Sequence, residues 1–252
     1  MRHHPLRSVT AVVGSLMLTS ASVWLHACND TVTLNHSTKL AQIQFITPPG
    51  AQVYLNTATD IRVANKRSDL SIELRKGEIA LEVQHDRTRT VTIVVPGLFT
   101  VVDVGTQFGV KRDGQCAFLA VTEGTAELII QGTDYGTVYS GRRVRVCEHD
   151  GKIEVKDEPV ALATLRRELS WENGVLWFQG EKLRDAVHEV NRYSLNPIII
   201  EDPEIDSFPV AGQMSIRNIA EFSKILSVYD IVVSEYHTEG SSVITLRARR
   251  KQ

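Results

Sequence analysis

Aromatic residues are scarce in this sequence, at 6% of 252 positions, which leaves packing to the abundant Val and Ile and leans the chain towards β-structure. A surplus of one charge sign is missing too. The formal net charge is −2, so no strong field draws the chain to nucleic acid or to anionic lipid. Cysteine is limited to Cys28, Cys116 and Cys147, with no CxxC and no metal-type spacing. No GxSxG, Walker A or dinucleotide fingerprint occurs.

The nearest approaches to chemistry fail on inspection. His188-Glu189 lies on a helical stretch like the first half of HExxH, but position 192 is Arg, so the second ligand is absent. Glu148-His149-Asp150-Gly151 gathers ligand-type side chains that a hairpin turn explains without a metal. Gly105-Thr106 follows a strand, but no helix follows to receive a phosphate. The expectation is therefore no catalytic residue, no metal and no cofactor.

What is present begins with an apolar run. Arg2 and Arg7 precede an uncharged stretch from Val9 to Cys28 that is long enough to span a bilayer. Three readings stand. It is an uncleaved anchor, a signal peptide cut near Ser20-Ala21-Ser22, or a lipoprotein signal ending in Leu25-His26-Ala27-Cys28, which would lipidate Cys28. All three export the remainder, and the anchor places a single pass in the inner membrane with the body in the periplasm. In an oxidising compartment Cys116 and Cys147, both in strand-like segments, can form a disulfide. The alternative is two buried free thiols.

Residues 39–153 alternate apolar and polar positions. Ile43 and Phe45, Val53 and Leu55, Ile79, Leu81 and Val83, and Val91, Ile93 and Val95 each mark a strand, with Pro48-Pro49-Gly50 turning the first hairpin. Further strands fit Phe99 to Val104, Phe108 to Lys111, Ala117 to Val121, Thr125 to Ile130, Thr137 to Tyr139 and Arg143 to Cys147. Many short strands without a convincing helix predict a β-sandwich or β-roll. Residues 154–170 read as a polar connector with a short helix from Ala161 to Leu169.

Residues 171–248 change character. Gly174 to Phe178 suits a buried strand that takes Trp177 inside, and Gly180 ends it. Leu183, Ala186, Val187, Val190 and Tyr193 then fall on one helical face. Strands follow at Pro197 to Glu201 and Phe208 to Gln213. Ser215 is placed to cap a helix that buries Ile219, Phe222, Leu226 and Tyr229, and a hairpin around Gly240 closes the unit. The order β-α-β-β-α-β-β describes a small α+β domain with one sheet covered on one face. Residues 249–252 are a basic tail.

Five stretches resemble the FecR-like family, the inner-membrane regulators of extracytoplasmic-function sigma factors. AQVYLNTATDIRV (51–63) is similar to a strand-turn-strand ending in a VxLNxxS-type element, and GEIALEVQH (77–85) to a GEayFeVah block. TVVDVGTQFGV (100–110), with Gly105, Thr106 and Phe108, resembles a vxvlGTxFnV block, and VTEGTAELI resembles the block after it. WENGVLWFQGEKLRDAVHEVNRY resembles the element that carries Trp171, Gly174, Leu176, Phe178, Leu183 and the ending Asn191-Arg192-Tyr193.

The resemblance implies a non-enzymatic sensor whose exported part receives a signal from the periplasmic signalling domain of a TonB-dependent receptor, commonly in iron-siderophore uptake. It also implies a secretin/TonB short-domain fold for the tail. Strand Ser241–Leu246, or the strand beside it, is the expected docking edge, with Val243 and Thr245 on it. Family members usually carry a cytoplasmic helical domain that binds the sigma factor. About eight residues precede the apolar run here, too few to fold, so signal reception carries over more directly than sigma antagonism. The competing reading is an exported β-module or lipoprotein that binds an envelope glycan, peptide or protein.

Overall fold

The computed structural model describes residues 22–23, 31–36, 44–46, 51–65, 69–83, 90–103, 105–238 and 241–249. The apolar run, Cys28 and the turns at 47–50 and 239–240 fall outside these, apart from Ser22–Val23. Among the described residues no helix is long and apolar enough to cross a membrane.

The first unit is one large curled sheet whose two halves share a core. Strands are numbered in chain order. One half runs through β1 (Ser22–Val23), β3 (Gln44–Ile46), β4 (Ala51–Leu55), β6 (Asp69–Val83), β9 (Gln107–Asp113), β10 (Cys116–Glu123), β13 (Arg142–His149) and β14 (Lys152–Pro159). The other runs through β2 (Thr31–His36), β5 (Thr59–Asn65), β6 again, β7 (Thr90–Val95), β8 (Phe99–Asp103), β11 (Thr125–Ile130) and β12 (Thr133–Tyr139). The alternation read from the sequence is what builds it. Val53, Leu55, Ile79, Leu81, Val91, Ile93 and Val95 all point into the shared core.

Strand β6 belongs to both halves and changes partners at Gly77. Up to Lys76 it pairs with β5, and from Gly77 onward with β9. Gly77 sits at φ +88°, and a Cβ there would come within 2.6 Å of Thr59 Cα. Only glycine meets both conditions.

The polar connector proves to be structured. Lys152–Pro159 forms a full strand, β14, antiparallel to β13 from His149↔Lys152 to Arg142↔Pro159. Its polar composition reflects an edge with little burial, tied instead by Arg142–Asp157 at 2.8 Å and Arg143–Glu158 at 3.3 Å.

The second unit begins with α1 (Leu162–Glu168) and a 3-10 turn, Ser170–Asn173. It continues with β15 (Val175–Lys182), α2 (Leu183–Asn191), β16 (Ile198–Ile200), β17 (Pro209–Ser215), α3 (Ala220–Ser227), β18 (Ile231–Thr238) and β19 (Ser241–Ala248). The element order is as expected, but the single sheet divides into two, β15–β17 and β16–β19–β18. Leu183, Val187 and Val190 of α2 and Phe222 and Leu226 of α3 form one core with both.

Three further expectations are corrected. Gly180 does not end β15; it sits at a register shift between Gln179 and Glu181, and pairing with β17 runs on to Lys182. Trp177 is 44% exposed, because strand alternation turns Leu176 and Phe178 inward and Trp177 outward. Ser215 is the last residue of β17 rather than a helix cap. Its hydroxyl accepts from Arg217 N–H in a tight turn, and Glu221 reaches back to accept Ser215 N–H at 2.8 Å, so α3 starts later, at Ala220.

Candidate functional site at the junction of the two units

The two units meet on the outer face of the curled sheet. Cross-strand register aligns Tyr54, Ala80, Gly109, Ala120 and Arg143 in one row over β4, β6, β9, β10 and β13. Three small residues in that row leave a shallow trough, and Leu169, at the end of α1, lies directly on Gly109, where a Cβ would collide with it. Arg143 flanks the trough and pairs with Glu168 of α1.

Beside the trough the contact becomes polar and buried. Glu78, 7% exposed, accepts from Trp171 Nε1 at 3.0 Å, Arg192 Nη2 at 3.0 Å and Asn56 Nδ2 at 2.9 Å. Asn56 Oδ1 in turn accepts from Tyr193 Oη at 2.7 Å and Thr57 N–H at 2.8 Å. Thr59 Oγ1 donates to Glu78 O and accepts from Glu78 N–H, fixing the strand at the carboxylate. Arg192 also pairs with Glu189 at 2.7 Å and lies over the Tyr193 ring. A buried carboxylate met by a guanidinium, an indole N–H and an amide is compensated at every oxygen, the condition under which a buried ion pair holds rather than weakens a contact.

The residues of the expected motif therefore divide by task. Trp171, Arg192 and Tyr193 cross to the first unit. Asn191 stays local: its amide donates to Ile198 O and accepts from Ile198 N–H, closing the turn after α2. Leu176, Phe178 and Leu183 are core, and Gly174 takes φ +76° to end the 3-10 turn. Gly105, Thr106 and Phe108 lie elsewhere in the first unit. Phe108 is fully buried, Thr106 Oγ1 donates to Thr125 O, and Gly124 approaches Gly105 O too closely for a side chain. Asn56 and Glu78 were not singled out by sequence reasoning. Their signal was the row itself, because Ala80, Gly109 and Ala120 stand where outward strand positions are normally polar.

The strands expected to dock a partner are β19 and its neighbour β18. β19 is the middle strand of its sheet, paired with β18 along its length and with β16 from Ile244 to Leu246. Thr245 is buried between both neighbours, whereas Val243, half-buried, pairs with β18 alone. The long free edge of that sheet is β18.

Charge at the junction is unevenly settled. Burial, and then Glu82, push the Glu172 carboxyl up to about 7. Burial and the same two carboxylates raise the Tyr54 phenol. Burial, with Glu189 next, moves Tyr193 far above the usual phenol range, while Glu189 and Glu78 outweigh burial to hold Arg192 charged. A cleft of about 410 Å³ opens alongside, with Gly109, Ala120 and Phe118 on one wall and Trp177 and Ala186 on the other. Cys116 and Cys147 face each other in the β10–β13 register and are joined by a disulfide. His188 is exposed on α2, and His149 of the 148–151 turn lies beside the disulfide. The group of metal-type side chains found among the described residues is Cys116, Cys147 and His149.

Comparison with known proteins agrees with this architecture. Residues 33–127 match the family described as FecR protein. Two crystal structures of a "putative anti-sigma factor" from Parabacteroides distasonis ATCC 8503, at 2.50 and 1.65 Å, share the fold. Each is 19% identical with a TM-score of 0.61, covering 86% and 87% of this chain and 99% of theirs. No curated protein matches the chain.

Proposed function

Residues 33–127 are FecR-like, and on that premise we propose that the chain is a sigma-factor regulator of the FecR type that receives its signal through the second unit. The observation that carries this reading is the Glu78 network. Glu78 belongs to the matched region, while Trp171, Arg192 and Tyr193 belong to the following unit, so the two units are bonded through buried groups. A partner bound on the second unit would then act on both. The arginines and apolar residues ahead of β1 support export of the body to the periplasm, and the family resemblance supports a TonB-dependent receptor as the source of the signal.

For the receptor's signalling domain, β18 is the docking edge. It runs eight residues, among the described residues pairs only with β19, and carries Val232 and Tyr236 partly exposed. Strand addition there uses free backbone groups, which proline removes. Successive N–H groups point to opposite sides of a strand, so of Val233→Pro and Ser234→Pro one strikes the free edge and the other the β19 ladder. The edge variant should keep the fold by circular dichroism and lose at least tenfold in affinity for the receptor domain. Full affinity in both variants would rule out docking at β18.

A further inference from the structure

The Cys116–Cys147 disulfide has surroundings that a purely structural bridge does not require. Arg145, between the two strands' cysteines on β13, donates from Nε to Cys147 Sγ at 3.0 Å and from Nη2 to Cys116 Sγ at 3.7 Å. Its guanidinium is held there from the other side by the Phe118 ring, 5.9 Å from the centroid. The two cysteines differ in exposure. Cys147 is 1% exposed, whereas Cys116 is only partly buried. The imidazole of His149 completes a set whose ligand atoms lie within 4.8 Å of one another, but a fixed guanidinium over both sulfurs favours an anion and opposes a metal cation.

We propose that this bridge is a thiol-exchange site with a fixed direction: an incoming thiolate attacks Cys116 Sγ, and Cys147 leaves. In the step, RS⁻ forms a new S–S bond to Cys116 as the Cys116–Cys147 bond breaks, and the electron pair of that bond stays on Cys147 as thiolate. A second equivalent of the same thiol then releases Cys116 as thiolate and RSSR as the oxidised product. The overall change is two-electron reduction of the protein by two thiols. The direction follows from access at Cys116 and from the shorter hydrogen bond that awaits the charge at Cys147, since a better-stabilised leaving thiolate departs faster. The co-reactant is a small anionic or neutral thiol of the glutathione or cysteine class. This inference does not depend on the signalling role.

The test is exchange of the full chain with glutathione at limiting concentration, with alkylation of released thiols and peptide mass analysis. The expected product carries glutathione on Cys116 and alkyl label on Cys147. In Arg145→Gln the rate should fall about tenfold, as loss of a hydrogen bond to a charged sulfur implies. Arg145→Lys should recover part of it. Glutathione on Cys147, an even split, or reaction only in denaturant would overturn the proposal, and the wild-type adduct position decides this even if Arg145→Gln folds poorly. An unchanged rate in a folded Arg145→Gln would overturn the guanidinium's part in setting that direction.

Discussion

At the scale of single residues, the weight falls on Glu78. Replacing it with Ala leaves the Arg192 guanidinium, the Trp171 indole N–H and the Asn56 amide without their shared acceptor in a largely buried contact. Breaking a buried pair from one side costs about 3–5 kcal/mol, and urea unfolding of Glu78→Ala should show a loss of that order. Trp171→Phe keeps the ring but strands one oxygen, so its loss should be smaller, about 1–3 kcal/mol. Glu172 makes the opposite prediction. Its folded pKa of about 7 lies above the ordinary 4.5, so the protonated form is favoured by folding. That contribution is whole below pH 4.5 and is lost as pH rises through 7. Glu172→Gln should therefore match the wild type in melting temperature near pH 4.5 and exceed it by a few degrees, on the order expected for such shifts, above pH 7.5. A constant difference across the range would show that Glu172 is not held in this way.

At the scale of elements, the trough depends on residues that are absent rather than present. Gly109→Val places methyl groups where Leu169 lies, and overpacking of this kind costs about 1–3 kcal/mol. Because β9 can keep its inward side chains Phe108 and Val110, the strain should appear as lifted α1. Faster hydrogen exchange in residues 162–173, with β9 still protected, is the expected pattern.

The same elements explain what was legible beforehand. Period-two alternation marked β4, β6 from Ile79 onward and much of β7 to β13, but β5 and residues 69–76 of β6 went unread by it, and the helix α2 stood out because its apolar stripe is unbroken. The edge strand β14 was missed because its apolar face carries only Ile153 and Val155, neither fully buried, before charged residues take over. Trp177 was misplaced because hydrophobicity was weighed without parity, and the start of α3 because Ser215 caps a turn as readily as a helix. Thr245 looked like an edge residue because chain order puts β19 last, while the parallel return of β16 covers β19 from Ile244 to Leu246. The junction itself was spread over positions 56, 78, 171, 192 and 193, and no local pattern joins residues so distant in sequence.

At the scale of the molecule, two differently built units are fastened by a small buried polar contact set beside a trough of small residues. Such a contact is specific, because few other groups could satisfy Glu78, and it is breakable by a single substitution. The central claim is that Glu78 and Arg192 bond the units into one cooperative structure. A double-mutant cycle with Glu78→Gln and Arg192→Met, read by denaturant unfolding of the full chain, measures it most directly. The account predicts an interaction energy of about 1–3 kcal/mol and, in either single variant, separation of one transition into two. Losses that add within about 0.5 kcal/mol, with one transition throughout, would contradict it.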